Sequence, residues 1–594
     1  MVCRGLRSLI LFAGILLLFS SCIEENEREI KIVSTTDLHG VIFPYDFADR
    51  RPLEASLAGV SSYLKQLRNQ NEVILLDNGD NLQGQPTVYY YNFIDTSSSH
   101  INSIVMNYLN YDAATVGNHD IEAGHAVYDR LAGEYKFPLL AANAVRISDG
   151  KPYFKPYVII NRNGLKIAVL GLITPSVPQW LPPVLYSGIE FTGMVEAARK
   201  WMPEILKEKP DIVVGLFHSG YRTPDVSRLK NQVNPVSEDA AGEVAYLVPG
   251  FDIIFAGHDH RAVCEKIANI AGDSVLILNA GSRAEFAAEA SIPAGYGKQT
   301  VKKSTITGRL VEIKNYEPDK EFIREFDKQE SAVRKFVDRE IGELANSVST
   351  RPAYFGPSSF VDLIHTVQLD ITGAEISFAA PLSFDAEIKK GPLTVGDMFK
   401  LYRYENMLYK IEMKGNEIDK YLEYSYSGWF NTMTGPSDNL MNFRKDDSGK
   451  LIINNGRAWL KIPSYNFDSA AGIEYTVDVS KPSGSRVEIA GLSDGRPFRL
   501  NETYTVALNS YRGSGGGGHL TSGAGLKAED INGRLISSTV RDLRYYMIDY
   551  VSARKVVDPV PVTKWKVVPE SWVSKARERD FILMFGEKEK QINQ

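Results

Sequence analysis

Cysteine is scarce in this chain, with three among 594 residues. Cys3 and Cys22 fall in an N-terminal stretch that has the features of an export signal, which leaves Cys264 alone in the body of the protein. A single cysteine cannot form an intrachain disulfide, and the lack of others argues against a thiolate metal site. Any metal bound by the body of the protein must therefore use other side chains.

Long apolar runs are also rare, and the clearest one is Leu9–Phe19 near the N-terminus. It follows Arg4 and Arg7 and is short for a transmembrane helix. Small residues then precede Cys22, as in the processing site of an export signal. We exclude this stretch from the folded body.

The junction Phe19-Ser-Ser-Cys22 resembles the lipobox of bacterial lipoproteins. This resemblance implies cleavage before Cys22 and acylation of its thiol; the alternative is a soluble secreted protein with a chance cysteine. We predict a lipoprotein signal peptide over 1–21 and a tether over 22–28. The protein would then be lipid-anchored outside the cytoplasm, in the periplasm or on the surface of a bacterium.

Runs of basic residues are missing as well. The formal net charge is -6, and it becomes more negative when Arg4 and Arg7 leave with the signal. Without a basic patch, a nucleic-acid polymer is not expected as a partner, and no protein partner is evident. An anionic substrate would need a local cation to attract it.

What the sequence does contain, from residue 30 to about 285, is a repeated pattern of apolar runs that end abruptly in Asp, His, Asn and Gly. Continuous apolar runs of four to seven residues are typical of strands buried on both faces, and helical patterns lie between them. This alternation predicts an α/β domain, in which ligands gather at the carboxyl ends of strands. The polar residues at these ends are Asp37, His39, Asp80, Asn118, His119, His218, His258 and His260.

This set contains five of the nine histidines in the chain. One histidine at a strand end is more often structural than a ligand, but five in equivalent places favour a metal site. Imidazole, carboxylate and one carboxamide suit Zn, Mn or Fe. Because the set exceeds the four or so ligands that one zinc takes, it predicts two ions.

The ordered blocks Asp37-x-His39, Gly79-Asp80, Gly117-Asn118-His119, His218 and Gly257-His258-x-His260 resemble those of the calcineurin-like metallophosphoesterases. The resemblance implies two divalent metal ions, with Zn, Mn, Fe and Co not distinguished. One ion would be held by Asp37, His39, Asp80 and His260, and the other by Asp80, Asn118, His218 and His258. Asp80 would bridge the two.

By the same resemblance His119 is not a ligand but contacts the phosphoryl group. A protonated imidazole there could offset charge or protonate the leaving alkoxide, a contribution typically around 10²–10⁴-fold. Relatives have a dyad partner three residues after this histidine, where the chain has Glu122. The alternative for Glu122 is a plain surface acid.

The second half of the chain lacks a comparable cluster of metal-binding residue types. Charged residues with apolar positions at helical spacing predict a linker helix over 316–351. Mixed helix and strand patterns predict a second domain over 352–555 after a first domain over 29–315, and the tail over 556–594 should pack against the body.

Two tyrosines stand out in this second domain. Tyr404 lies in Tyr-Glu-Asn, and Tyr511 lies in Asn509-Ser-Tyr-Arg512 just before the glycine run Gly515–Gly518. Backbone without side chains lets a ligand approach closely. Tyrosine is common here, so each ring is by default a core residue, yet two rings could face one another and stack a base, worth roughly 1–3 kcal/mol.

Residues 30 to about 570 resemble the two-domain nucleotidases, whose C-terminal domain holds the nucleobase between two aromatic rings at the positions of Tyr404 and Tyr511. The resemblance implies a metallophosphoesterase α/β sandwich of mixed sheets flanked by helices, followed by an α+β nucleotide-recognition domain. Asn509 and Arg512 are further candidates for substrate binding. For Arg512 the alternatives are contact with a phosphate or base edge, or a surface charge.

Within that family the chain is most similar to the 2',3'-cyclic-nucleotide 2'-phosphodiesterase/3'-nucleotidase branch, for example in Asp77–Pro86 and Tyr465–Asp468. The 5'-nucleotidase and UDP-sugar hydrolase branch usually has an Asn-Gly-Gly-Ile-Arg-like segment where this chain has Ala379–Phe384. The predicted function is opening of 2',3'-cyclic nucleotides and dephosphorylation of 3'-nucleotides. The alternatives are a 5'-nucleotidase or UDP-sugar hydrolase on the same scaffold and, more remotely, a non-catalytic nucleotide-binding surface lipoprotein.

Overall fold

The chain beyond the predicted export signal forms two domains joined by a pair of helices. The computed structural model describes residues 29–229, 234–293, 303–559 and 561–586. Cys22 and the tether lie outside these ranges. Within them, no helix combines the length and apolar character needed to cross a membrane.

The N-terminal domain is built on two six-stranded sheets. The first sheet is made of β1 (Ile30–Thr35), β2 (Glu72–Asp77), β3 (Ala113–Thr115), β4 (Leu139–Leu140), β11 (Phe286–Ile292) and β12 (Thr307–Glu312). The second is made of β5 (Tyr157–Arg162), β6 (Leu165–Ile173), β7 (Ile212–His218), β8 (Ile253–Ala256), β9 (Ala262–Ala268) and β10 (Ser274–Ala280). In space the orders are β12-β11-β1-β2-β3-β4 and β9-β10-β8-β7-β6-β5.

The two sheets pack face to face and are covered by helices on their outer faces. Ile32 and Ile74 of the first sheet join Val214 and Phe255 of the second in one buried cluster. The main helices are α1 (Leu57–Arg68), α2 (Ile101–Leu109), α3 (Asn118–Glu122), α4 (His125–Glu134), α5 (Met194–Lys207) and α6 (Ala241–Leu247). The predicted α/β sandwich is confirmed.

Parallel pairing brings the strand ends together. β1, β2 and β3 run parallel in the first sheet, and β6, β7 and β8 run parallel in the second. Because the carboxyl ends of parallel strands share one edge of a sheet, the polar segments that follow them converge at one end of the sandwich.

The predicted linker helix is wrong in its extent. Helix α7 (Lys320–Glu325) and helix α8 (Asp327–Val337) replace a continuous helix, and strand β13 (Glu340–Leu344) follows. The helical spacing of Phe322, Phe326, Val333 and Phe336 is borne out by their burial. Strand β13 pairs with the strands Gly391–Thr394 and Val556–Val557 of the second domain, so tertiary pairing decides its conformation.

The C-terminal domain has a five-stranded sheet, whose strands lie side by side in the order Ser469–Ala471, Ile376–Ala379, Thr503–Asn509, Met407–Lys414 and Leu535–Asp542. Its main helices are α9 (Ser359–Thr372), α10 (Val395–Leu401), α11 (Gly415–Trp429), α12 (Leu543–Arg554) and α13 (Glu570–Phe585). The strands are β14 (Ile376–Ala379), β15 (Gly391–Thr394), β16 (Met407–Lys414), β17 (Ser469–Ala471), β18 (Ile473–Asp478), β19 (Val487–Leu492), β20 (Thr503–Asn509), β21 (Leu535–Asp542), β22 (Val556–Val557) and β23 (Lys564–Val568). This is the α+β architecture expected of the second domain.

The tail packs against the body, as predicted from its two tryptophans. Strand β23 pairs in parallel with β18, and the Trp565 ring stacks on Tyr475 with centroids 6.0 Å apart. Trp565 is buried, and Trp572 packs partly buried on the same core.

Candidate dinuclear metal site and the tyrosines of the second domain

The candidate ligands occupy unusual backbone conformations. A positive φ is uncommon for residues other than glycine and costs of order 1–3 kcal/mol where the surroundings enforce it. Here the strand-end segments hold five such residues with φ between 48° and 71°: Asp37, His39, Asp80, His258 and His260. Such a cluster indicates that these loops are shaped for the side chains they present.

The first donor group consists of Asp37, His39 and His260, whose ligand atoms lie within 4.8 Å of one another. His39 Nε2 is 2.9 Å from His260 Nε2, and His260 Nε2 is 3.4 Å from Asp37 Oδ1. Burial lowers the pKa of His39 to about 4, so its imidazole is neutral, as a metal ligand must be.

The second donor group consists of Asp80, His218 and His258, with Asn118 between them. The Asn118 carboxamide oxygen is 3.1 Å from His218 Nε2 and 2.8 Å from His258 Nδ1. His218 Nε2 is also 3.2 Å from Asp80 Oδ2. Oxygen and nitrogen donors thus converge on one point from four strand ends.

Asp80 lies between the two groups. Burial by itself lowers the pKa values of His218 and His260, but charge from carboxylates including Asp80 outweighs it and raises both. One oxygen, Oδ1, accepts the backbone N–H of His119 at 2.8 Å, and the other faces His218. This position between both sets is the one expected of a bridging carboxylate.

Backbone carbonyls fix two of the histidines. Nδ1–H of His39 donates to the Gln83 carbonyl at 3.1 Å, and Nδ1–H of His218 donates to the Asn78 carbonyl at 2.7 Å. A carbonyl only accepts, so each Nδ1 carries a proton and each Nε2 is turned toward the cluster, where a metal ion would take its lone pair in place of a proton. The donor set therefore fits divalent metal ions, which would be held by the seven residues predicted from the sequence.

Asp120 ties the loops of the site together. Its carboxylate accepts backbone N–H groups from Asp80, Asn81, Leu82 and Gly117 at 2.8–3.1 Å. Gly117 must be glycine because a Cβ there would lie 2.1 Å from Asp80 Oδ1. Sequence reasoning missed this use of Asp120, although it stands in the Gly-Asn-His-Asp segment.

His119 belongs to neither donor group. Its Nδ1 is 2.5 Å from Glu122 Oε2, and its ring centroid is 5.5 Å from that of His39. Burial lowers the pKa of His119, but the charges of Asp80 and Glu122 outweigh burial and raise it to about 10. The structure thus pairs His119 with Glu122 beside the metal donors.

The two tyrosines lie across the domain boundary from these donors. The Tyr404 ring lies against Tyr465, with centroids 6.3 Å apart and planes at 79°. Burial raises the pKa of Tyr404, and the charge of Glu122 in the first domain adds to the rise. Burial likewise raises the pKa of Tyr511, and Glu238 of the first domain adds to that rise.

Arg512 and Asn509 do not face this cleft as free side chains. Arg512 is 2% exposed, and its guanidinium donates to both Asp468 oxygens at 3.0 and 3.1 Å and to the carbonyls of Gly516 and Tyr465. Asn509 Oδ1 accepts the Arg512 N–H at 2.9 Å. The burial of Arg512 shows that the surface-charge alternative is wrong, and its contacts give Arg512 and Asn509 a role in holding the Tyr511 loop.

The structure also brings in residues for which sequence reasoning had no role. Glu238 Oε1 is 2.9 Å from His258 Nε2, and the Trp180 ring stacks on His258 with centroids 5.3 Å apart. Both residues lie in loops that do not follow the apolar strand patterns, so no sequence motif indicated that they would contact His258. Tyr465 stands in a segment that supported the family resemblance, but no role was assigned to it.

Comparison with known proteins agrees with the two domains. Residues 30–262 match the calcineurin-like phosphoesterase family, and residues 340–522 match the 5'-nucleotidase C-terminal domain. Trifunctional nucleotide phosphoesterase protein YfkN of Bacillus subtilis is 26% identical over 91% of this chain, a match that spans only 39% of that protein.

Two other relatives match over most of both chains, and both are 2',3'-cyclic-nucleotide 2'-phosphodiesterase/3'-nucleotidases. The Yersinia enterocolitica protein is 26% identical over 86% of this chain and 84% of its own length. The Salmonella typhimurium protein is 27% identical over 82% of each.

Solved structures share the fold. A structure from Staphylococcus aureus in complex with alpha-ketoglutarate aligns with a TM-score of 0.74 and 21% identity over 91% of this chain and 99% of that chain. The 5'-nucleotidase precursor of Thermus thermophilus aligns with a TM-score of 0.60 and 21% identity over 91% and 100%. The chain thus combines a calcineurin-like phosphoesterase domain over residues 30–262 with a 5'-nucleotidase C-terminal domain over residues 340–522, and it is a metal-dependent phosphoric ester hydrolase.

Proposed function

We propose that this enzyme opens 2',3'-cyclic nucleotides to 3'-nucleotides and then removes the 3'-phosphate to release a nucleoside. The observation that carries the proposal is the pair of metal donor groups at the strand ends, together with Glu122 and Glu238 beside them, whose charges reach Tyr404 and Tyr511 of the second domain and raise their pKa values further. One end of such a site suits a phosphoryl group and the other suits a flat base.

In the first step water adds to phosphorus, the P–O2' bond breaks, and a proton reaches O2'. In the second step another water adds, the P–O3' bond breaks, and O3' receives a proton as phosphate departs. Two divalent ions would orient the phosphoryl group, activate the attacking water and offset charge on the oxygens. Asp37, His39, Asp80 and His260 would hold one ion, and Asp80, Asn118, His218 and His258 the other.

The chain's own contribution to proton transfer is assigned to His119. Glu122 holds the Nδ1 side of its imidazole at 2.5 Å, which leaves the other ring nitrogen for the phosphoryl group or the leaving oxygen. Tyr404 and Tyr511 would hold the base, so that the phosphoryl end of the substrate reaches the metal donors.

A 5'-nucleotidase or UDP-sugar hydrolase activity is the second candidate. It is favoured by relatives such as Protein UshA of Yersinia enterocolitica, 23% identical over 84% of this chain, and the 5'-nucleotidase of Vibrio cholerae, 24% identical over 83%. The segment Ala379–Phe384, which lacks an arginine, favours the first candidate.

The substrate is tested with purified enzyme supplied with Mn or Zn. We expect kcat/KM for 2',3'-cyclic AMP and 3'-AMP to exceed that for 5'-AMP by at least about tenfold, or ~1.4 kcal/mol in the transition state. A preference for 5'-AMP or UDP-glucose would overturn the proposal in favour of the second candidate. Fewer than one bound ion per chain, with no phosphatase activity after metal is added, would instead favour a non-catalytic nucleotide-binding protein.

The setting of this activity is part of the proposal. The lipobox-like junction at Cys22 supports a lipid anchor and a site outside the cytoplasm, where nucleotides would be degraded to nucleosides.

A further inference from the structure

His258 differs from the other buried donor histidines in what holds its second nitrogen. His39 and His218 turn Nδ1–H to backbone carbonyls, at 3.1 and 2.7 Å. His258 turns Nδ1 to the donor group, 2.8 Å from Asn118 Oδ1, and its Nε2 meets the Glu238 carboxylate at 2.9 Å. One ligand of the second donor group is therefore backed by a carboxylate.

The loop that carries Glu238 is fixed next to the site. Ser219 directly follows the donor His218 and is fully buried. Its hydroxyl donates to the Glu238 carbonyl at 2.7 Å and accepts the Ala240 N–H at 2.8 Å. These bonds hold the backbone on both sides of Glu238 against the end of β7, within reach of His258 after β8.

One further contact and the backbone conformation restrict the His258 ring. The Trp180 indole stacks on it at 5.3 Å with planes inclined by 23°, and the backbone φ of His258 is 71°. The ring is thus held by an aromatic face on one side, by a carboxylate at Nε2 and by a strained backbone. A side chain restricted in this way can present Nδ1 in only one direction.

We propose that Glu238 is a positioning residue that orients His258 and strengthens Nδ1 as a donor for the second metal ion. A carboxylate that accepts the distal N–H of a ligand histidine fixes its tautomer and raises its basicity, and loss of such a partner typically costs about 10–100-fold in metal affinity. The inference rests on the dinuclear site of the proposed function. Because Glu238 contacts His258 of the second donor group, whereas carbonyls hold His39 and His218, the effect should be confined to the ion that His258 would bind.

The test is a metal titration that does not depend on turnover. Wild-type, Glu238→Ala and Glu238→Gln proteins are loaded with Zn and dialysed against graded concentrations of a chelator, and zinc per chain is measured by mass spectrometry. We expect one of the two ions to leave Glu238→Ala at a chelator concentration about 10–100-fold lower than for wild type. Glu238→Gln, which keeps an acceptor oxygen but no charge, should fall between.

Glu196→Gln serves as the matched control, since it removes the same charge from an exposed position at the start of α5. It should retain both ions as wild type does. Thermal unfolding of the metal-free proteins should be unchanged by either Glu238 substitution, which separates loss of metal from loss of fold.

Retention of both ions with wild-type affinity in Glu238→Ala would overturn the inference. So would equal weakening of both ions. Substrate preference is measured separately on wild-type enzyme, so a preference for 5'-AMP would defeat the proposed substrate while leaving the metal titration readable.

Discussion

At the scale of single residues, the site depends on side chains that share a neighbourhood but differ in task. Asn118 and His119 are adjacent in sequence, yet Asn118 faces His218 and His258 whereas His119 pairs with Glu122. The helical turn that begins at Asn118 directs consecutive side chains about 100° apart, so neighbours in sequence need not serve one ion.

This division predicts the behaviour of a His119→Ala variant. Because His119 lies in neither donor group, the variant should retain the same number of metal ions as wild type. Its kcat should fall by around 10²–10⁴-fold, the usual contribution of a general acid or base. Metal content by mass spectrometry and steady-state kinetics on 3'-AMP measure the two effects.

His258→Ala is the comparison, since it removes a side chain of the second donor group and should lose an ion. A His119→Ala protein that also lost an ion would refute the division.

At the scale of elements, buried carboxylates hold loops that the strands alone do not position, one through hydrogen bonds to backbone N–H groups and the other through an ion pair. In the first domain Asp120 gathers the loops after β2 and β3. In the second domain the buried pair Arg512–Asp468 joins the short helix Ser510–Gly513, which bears Tyr511, to the segment before β17. Tyr421 also donates to Asp468.

We predict that Asp468→Asn destabilises the protein by about 3–5 kcal/mol at neutral pH, because it leaves the Arg512 charge buried without a carboxylate. Burial raises the pKa of Asp468, but Arg512 outweighs it and the net pKa is lowered. A lowered folded-state pKa contributes stability that is present above the unfolded pKa, about 3.9, and is lost as pH falls through the folded value. The difference between wild type and variant should therefore be constant from pH 5 to 8 and shrink below about pH 4.

Urea unfolding at several pH values measures this difference. Asp494→Asn is the control, because its pair with Arg496 is exposed and screened by solvent, so this substitution should leave the urea midpoint close to that of wild type. A wild-type advantage that grew on acidification would contradict the assignment.

At the scale of the whole molecule, the metal donors and the tyrosines of the proposed site lie in different domains, and the two domains are in direct contact. Tyr89 of the first domain donates to Asp542 of the second at 2.9 Å, and the buried Arg544 lies over the rings of Tyr89 and Phe399. A substrate that spans metal donors and tyrosines must enter and leave between these surfaces.

We therefore predict that fixing the domains together suppresses turnover, because exchange of substrate and product requires them to separate. Asp49, which is half-buried, and the exposed Arg403 form a pair across the boundary with 3.5 Å between Nη2 and Oδ2, and both are replaced by cysteines in a Cys264→Ser background. Treatment with a short cleavable bismaleimide should lower kcat strongly, and cleavage of the linker should restore it.

The same double-cysteine protein without linker controls for the substitutions themselves, which matters because Arg403 adjoins Tyr404. Full activity in the linked protein would show that the domains need not move. Metal content, measured in parallel, should be the same in both forms.

The sequence by itself determined the class of the first domain and the candidate donors. Strands buried on both faces need continuous apolar runs, and the polar residues that directly follow parallel strands gather at one edge of the sheet. Asp37, Asp80, His218 and His258 could therefore be predicted as neighbours from the sequence. The apolar spacing of the linker also predicted helix correctly, but it did not predict that the helix ends at Val337. The local pattern did not contain the strand partners that make Glu340–Leu344 extended.

Tertiary structure decided what depends on distant side chains. Arg512 follows Tyr511 in a segment that suggested ligand contact, but Asp468, 44 residues away, binds its guanidinium in the interior. Glu238 lies in a loop with no recognisable motif and reaches His258 only because Ser219 fixes that loop to the end of a strand. A local pattern records which residues a strand presents, whereas the orientation of each side chain is set by partners that only the folded chain brings within hydrogen-bonding distance.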